Sequence, residues 1–425
     1  MVSHTEVVAS LLFAIAIIHT FSVPVFARLA HRGGRHAGLW HLLSEVEAVF
    51  GVWACVLFVW MALTLGVKGA VDYLDTRNFT EPAFVFVIMV VAASRPIIEL
   101  VRLVVDGLAR VLPVSCELSR FFVIMTLVPL AGSLITEPAA MTLAALLLRQ
   151  AYFRRPGQDG FKYLTVGVLF VNVSIGGVLT AYAAPPVLMV AQTFGWDTAF
   201  MATHFGWRAA AAVLFNGLIL TLICRPFLLD GSLGVRPDDS NARAPVPLMV
   251  MAVHVLFLLG IVLASHHIKI FLALLVLFIG YAQAYKTHQS PLLLREGLMV
   301  GFFLAGLVVL GGLQQWWLQG LLAGLSPFVL YLGATALTAV TDNAALTYLG
   351  SLVEGTGDLW RYMLVAGAVT GGGLTVIANA PNPAGFSILK GCFGDGTISP
   401  LKLLGAAAVP TLVAAIMFLL PNSFS

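Results

Sequence analysis

The sequence predicts an all-α polytopic membrane protein built as two inverted-topology repeats, and three observations carry the prediction. Hydrophobic residues make up 60% of the chain and charged residues only 10%, with a mean hydropathy of +0.96, far from the composition of a soluble domain. Apolar stretches near the ~20 residues needed to cross a bilayer recur along most of the length. Finally, the segment Thr136-Glu137-Pro138-Ala139-Ala140-Met141-Thr142 returns 205 positions later as Thr341-Asp342-Asn343-Ala344-Ala345-Leu346-Thr347. An acid inside an apolar stretch is costly, and two in duplicated settings point to a site built from two halves of one chain.

Spans are expected at about 7–27, 46–67, 82–103, 163–193, 207–228, 246–265, 268–285, 296–314, 360–389 and 401–420. The first has no basic leader region or small-residue cleavage site before it and reads as a retained span. Two further apolar stretches, about 119–152 and 325–353, are each interrupted by the acidic motif. Each is long for one crossing and short for two, so each is expected as a re-entrant helical hairpin with the motif at its tip. Irregular backbone at membrane depth is tolerated only when protein or a water-filled cavity surrounds it.

The domain reading follows. Residues 1–228 form a first repeat, 229–245 a cytoplasmic linker (the polar stretch Asp230 to Pro247), and 246–425 a second repeat. Each repeat has three spans, a hairpin and two further spans, one of them broken. Five crossings per half require the second half to be inverted. With both termini outside, only Lys68, Arg77, Arg208, Lys269 and Arg361 of the 23 basic residues fall on the external side. Arg95 lies within a span, and the rest, including Arg154, Arg155, Arg236 and Arg243, are cytoplasmic, a strong positive-inside bias.

A second repeated element supports the duplication. Gly176-Gly177-Val178-Leu179-Thr180, with Ala183 and Pro186, recurs as Gly371-Gly372-Gly373-Leu374-Thr375, with Ala378 and Pro381. Glycine and proline within a span break the helical hydrogen-bond ladder and expose backbone groups. Each half therefore pairs an acidic tip with a broken helix (about 163–193 and 360–389), the pattern of a transporter site at the midplane.

The candidate ion- and proton-binding residues come from these elements. Glu137 and Asp342 can act as hard-oxygen ligands for a small cation or as proton acceptors. Burial favours the neutral form of a carboxyl group, so proton and cation can compete for one position. The plainer alternative is helix capping, with Thr136 or Thr341 as N-cap and the acid in the first turn. Ser133, Thr136, Asn172, Ser174 and Thr180 would serve the first half. Thr338, Thr341, Asn343, Thr375, Asn379 and Asn382 would serve the second, although each could simply bond across helices. Arg95 and Glu99, four apart on the third span, are expected to neutralise each other in a scaffold or coupling pair.

Other polar residues read as structural. Cys55, Cys116, Cys224 and Cys392 are scattered, with neither disulfide nor zinc spacing. His19, His204 and His254 are isolated. Trp40, Trp316, Trp317 and Trp360 suit an interfacial belt, and Glu45 and Glu47 a solvated cytoplasmic mouth. A net charge of +3 with basic residues in short loops gives no reason to expect nucleic acid.

The two tips, Leu134-Ile135-Thr136-Glu137-Pro138-Ala139-Ala140 and Thr341-Asp342-Asn343-Ala344-Ala345-Leu346, together with Ala378 to Gly385 (ANAPNPAG), carry a resemblance. The chain resembles the ion transporter superfamily, which includes NhaB- and NhaD-type sodium/proton antiporters, arsenite permeases and divalent anion/sodium symporters. It is most similar to a bacterial family described as sodium/proton antiporters. The resemblance implies a homodimer in the bacterial inner membrane. A scaffold from the first three spans of each half would then support a moving domain, giving elevator-type alternating access. The dicarboxylate symporters of this group carry neutral Ser-Asn-Thr tips; here Glu137 and Asp342 stand in the comparable places and favour cations.

The function expected is therefore secondary transport, not enzymatic catalysis: exchange of sodium or another monovalent cation for protons. No cofactor is called for beyond the transported sodium ion and proton. The alternative is a sodium-coupled symporter of a carboxylate or inorganic oxyanion. A channel or a non-transporting scaffold would need neither two acidic tips nor inverted halves with broken helices.

Overall fold

The structure is a computed structural model describing residues 3–153, 158–229, 245–394 and 398–421. The described residues are helical and contain no strand. Residues 230–244 of the expected linker and the basic residues Arg154, Arg155, Arg236 and Arg243 lie outside them.

The chain begins with α1 (His4–His31), α2 (Ala37–Leu43), α3 (Val49–Thr64) and α4 (Gly66–Asp75). Ser3 and Glu6 open α1 with a capping box, each side chain taking the other's backbone N–H. Next come α5 (Thr80–Ala92) and α6 (Arg95–Val111), bent by 65° at their junction. This corrects the continuous third span expected at 82–103. Ser94 adopts an extended backbone as N-cap and Pro96 sits in the first turn of α6, an arrangement that starts a new helix instead of continuing the old one.

The first acidic motif joins α7 (Cys116–Ile135) to α8 (Glu137–Ala151) through Thr136 alone. Then α9 (Asp159–Gly176) runs into a short 3₁₀ turn, Gly177–Leu179, and the backbone stays non-helical until α10 (Pro185–Phe194). A short α11 (Thr198–Met201) leads through a π turn at Ala202–Gly206 into α12 (Trp207–Leu229).

The chain resumes as helix beyond residue 245. It has α13 (Leu248–Leu263), α14 (Ile268–Ala284), α15 (Leu294–Gly311) and a short α16 (Gln315–Leu322). The second motif lies between α17 (Pro327–Thr338) and α18 (Asn343–Ser351). The chain then unwinds between α19 (Asp358–Gly371) and α20 (Asn382–Leu389) before ending in α21 (Pro400–Phe418).

Six described helical segments are long and apolar enough to cross a membrane, and the bent α5–α6 pair makes seven. One of the six is α7, an arm of the expected hairpin, so five of the ten expected spans reach crossing length, and a sixth as the bent pair. α3, α13 and α14, at 16, 16 and 17 residues, are apolar but short, at ~1.5 Å of rise per residue.

Packing forms two main bodies that share the broken helices. α15 lies against α3 and α5, with α1, α13 and α14 around them. α7, α8, α9, α12 and α21 form the second body. The two halves interlock: α10 packs on α18, and α20 packs on α8. α9 also meets α19, where Ser174 Oγ donates to the Val369 carbonyl at 2.8 Å. Those two residues occupy equivalent places in the internal repeat, 195 positions apart.

Several residues read as structural behave so. His19 accepts from Trp53 and contacts the Leu43 carbonyl, His204 stacks on Phe200, and His254 lies buried against Phe278. Trp360 departs from the expected interfacial belt. It is buried with Leu318, Leu330, Val353 and Leu364, because it falls in the first turn of α19, a helix packed on α17.

Candidate functional site

Thr136 has to connect two packed helices in one residue, and it does so with φ 77° and ψ 150°. That conformation is largely reserved for glycine and costs of order 1–3 kcal/mol in other residues. The result is that Glu137 opens α8 at the helix's positive end, followed by Pro138 in the first turn. Glu137 is fully buried. Its Oε2 accepts a hydrogen bond from Asn379 Nδ2 at 2.8 Å, while no described group bonds Oε1. On its other flank lies Gly177, the first residue past α9. A Cβ there would stand 2.4 Å from Glu137 Cγ and Oε1, so only glycine admits the carboxylate.

The second tip is built differently. Asp342 is the N-cap of α18, its Oδ1 accepting from the backbone of Ala344 at 2.8 Å and Ala345 at 3.2 Å. Asn343 N–H donates to the Ala378 carbonyl at 3.1 Å, tying this tip to the unwound strand beside Asn379. A Cβ on Gly372 would reach 2.8 Å from Asn343 Nδ2 and 2.2 Å from Ser174 Oγ. Gly177 and Gly372 are equivalent in the internal repeat, so each break makes room for its own tip. Neither threonine caps through its hydroxyl: Thr136 stands at the N-cap of α8 without a side-chain cap bond, Thr341 bonds back to Leu337, and Asp342 is itself the cap of α18.

The remaining predicted residues fall into three sets. Ser133 and Thr180 latch the first break to the first tip: Ser133 Oγ donates to Gly176 O and accepts from Leu179 N, and Thr180 Oγ1 donates to Ser133 O. Thr375 does the same in the second half, donating to the Ala339 carbonyl at 2.8 Å. Asn382 bridges its own break through the carbonyls of Gly372 and Thr375. Asn172, Ser174 and Thr341 make backbone contacts instead. Asn172 bonds Met125 and Val213 carbonyls and accepts from Asn216, and Thr341 bonds Leu337 within its own helix.

Glu99 is held by Arg102 at 2.7 Å, three residues on, and Arg95 stands in the first turn of α6. Glu99 and Arg102 thus pair one turn apart along α6, the second arm of the bent α5–α6 pair.

Several of the buried polar atoms without a hydrogen-bond partner lie at the tips and breaks, while others are spread along the chain. Among the described residues the former include Thr136 Oγ1, Glu137 Oε1, Thr338 Oγ1, both side-chain amide atoms of Asn343, Asn379 Oδ1 and Asn382 Oδ1. Such groups are rare in native interiors and call for an explanation. Six of the atoms are oxygens, the donor type of a hard cation. Among the described residues no three His, Cys, Asp or Glu side chains converge as a metal cluster, so carboxylate charge here is sparse and the other oxygens are neutral.

Each break also borders a cavity. One, of about 310 Å³, is lined by Ile377, Asn379, Ala380 and Asp342 together with residues of α1 and α15. The other, of about 500 Å³, is lined by Ala181 and Tyr182 of the first break with Glu81, Asp197 and His266. Sequence reasoning treated Gly177 and Gly372 as helix breakers and missed their second role as places of close approach. Their matching positions after the two repeats were the available signal.

A polytopic helical protein with a fully buried carboxylate held between two broken helices belongs to the class of membrane transport proteins. The family described as "Putative Na+/H+ antiporter" matches residues 4–421, and the chain belongs to that family. A comparison with curated proteins finds no match.

Proposed function

We propose that the protein exchanges sodium, or another monovalent cation, for protons, with Glu137 and Asp342 holding cation and proton in turn. The observation that carries this reading is the set of partnerless buried oxygens at the two acidic motifs and the second break, on Thr136, Glu137, Thr338, Asn343, Asn379 and Asn382, with Asn379 bonded directly to Glu137. A cation arriving among them satisfies the carboxylate and the neutral oxygens together. A proton satisfies the carboxylate alone, so the two compete. An anionic substrate is disfavoured, since each of its charges would meet Glu137 or Asp342.

The inverted repeat is part of this proposal. It is supported by the contact between Ser174 and Val369 at equivalent positions, by the exchange of partners between α10–α18 and α20–α8, and by the matched glycines. With one cavity beside each break, the pair α7–α8 and the pair α17–α18 act as re-entrant hairpins facing opposite membrane sides. Elevator movement, the homodimer, external termini and the bacterial inner membrane follow from the family resemblance and the positive-inside bias.

The test is dissipation of a pH gradient in inside-out vesicles on adding sodium, lithium, potassium or calcium. Proton movement on adding sodium or lithium supports exchange. Absence of movement with every cation, alongside sodium-dependent uptake of a labelled anion, overturns it.

A further inference from the structure

The cavity beside the second break holds a feature that the exchange site does not use. Its walls are apolar, built from Phe13, Ile17, Phe21, Phe50, Val300 and Phe303 among others. The carboxylates lining it are Glu47 and Asp342, and Asn379 lines it as well. Glu47 lies in the short 3₁₀ turn Val46–Ala48 just before α3.

Two contacts separate Glu47 from its neighbour. Glu45 is engaged by Arg295 and lies 3.5 Å from His41. Among the described residues no Lys, Arg or His stands at ion-pair distance from Glu47. The expectation that both acids form one solvated mouth therefore separates into a neutralised Glu45 and a Glu47 that faces the cavity. Farther in, Asn379 is 1% exposed, its Oδ1 has no partner, and its Nδ2 holds Glu137. The cavity is thus bordered by two carboxylates and an amide whose Nδ2 bonds Glu137.

We infer that Glu47 is a positioning carboxylate of the ion route, drawing the transported cation into this cavity toward Asp342 and Asn379. The inference rests on the antiporter reading and adds to it the side and the residue by which the site is reached. The physical reason is field focusing: low-dielectric walls concentrate the potential of a carboxylate along the cavity and raise the local cation concentration. The cation is not bound at Glu47 when exchange occurs, so the residue acts on capture and not on turnover.

The experiment compares wild type, Glu47→Gln and Glu47→Asp in vesicles of both orientations. Glu47→Gln is expected to raise the sodium KM by about tenfold when sodium is supplied on the Glu47 side, the lower end of focusing effects. KM on the other side and kcat should stay unchanged, and Glu47→Asp should restore most of the affinity. An unchanged KM on both sides overturns the inference while leaving the antiporter reading intact; a wild type that moves no protons overturns the antiporter reading.

A second readout needs no transport. The four native cysteines are replaced by alanine, Asp342→Cys is added, and its labelling by cationic and anionic impermeant thiosulfonates is timed. Faster cationic labelling, with the preference lost on adding Glu47→Gln, is expected. Equal rates for the two reagents, or a preference that survives the Gln substitution, overturn the vestibule. Glu47→Ser is read in the same way if the Gln variant does not accumulate.

Discussion

Asn379 Nδ2 donates to Glu137 Oε2 across 2.8 Å, joining residues 242 positions apart. The bond connects the first tip to the second break, and Asn343, at the second tip, donates in turn to the adjacent Ala378 carbonyl. Through this short path the two acidic motifs share one neighbourhood, although each belongs to a different half of the chain.

Asn379→Ala removes both the donor to Glu137 and one orphan oxygen. Losing a hydrogen bond to a buried charged group costs about 1.5–3 kcal/mol, and sodium affinity should fall about tenfold to a hundredfold at that cost. Sodium titration of proton flux in proteoliposomes checks it. An unchanged half-saturating concentration would mean that Asn379 only fills space.

Gly177→Ala should abolish or strongly reduce exchange, since its Cβ would meet Glu137 Oε1 at 2.4 Å. Gly405→Ala in α21, where nothing lies within 4 Å of the added atom, should transport normally and gain up to about 1 kcal/mol of helix stability. Transport and melting temperature measured side by side distinguish the two. Equal behaviour of the variants contradicts the close approach.

Thr136→Gly relieves a backbone strained at φ 77° by about 1–3 kcal/mol, against a smaller entropic penalty of about 0.5–1 kcal/mol. The variant should melt no lower than wild type yet transport more slowly, because the single connecting residue now holds Glu137 less rigidly. A melting point several degrees lower would contradict the strain.

Proton competition fixes the sign of the pH dependence. A carboxyl group that takes a proton loses the charge that holds sodium, so the apparent sodium KM should rise as pH falls, with kcat at saturating sodium far less affected. Fluorescence-monitored exchange at several pH values tests this. A KM independent of pH would separate the cation from the proton-binding groups.

Much of this was legible in the sequence because it repeats. Duplicated motifs marked Glu137 and Asp342, and the glycine and proline runs marked both breaks, since a helix cannot continue through them without losing hydrogen bonds. Less legible were features set by three-dimensional approach. The proximity of Gly177 to Glu137 depends on how α9 lies against α8, which no periodicity encodes. The third span read as continuous because Val, Ile and Leu persist across Ser94 and Pro96. Asn172 and Thr341 show the opposite case. Polar residues in an apolar stretch look like ligands, but a carbonyl one turn away or on the next helix is often their partner.

The central claim is that cation and proton exchange at these two carboxylates. Its most direct test is proton release from purified protein in weak buffer on adding sodium. Wild type should release protons in a saturable, sodium-dependent way, and Glu137→Gln should release fewer or none while remaining folded and monodisperse, with Asp342→Asn reducing release as well. Full release from the Glu137→Gln, Asp342→Asn double variant would contradict the account.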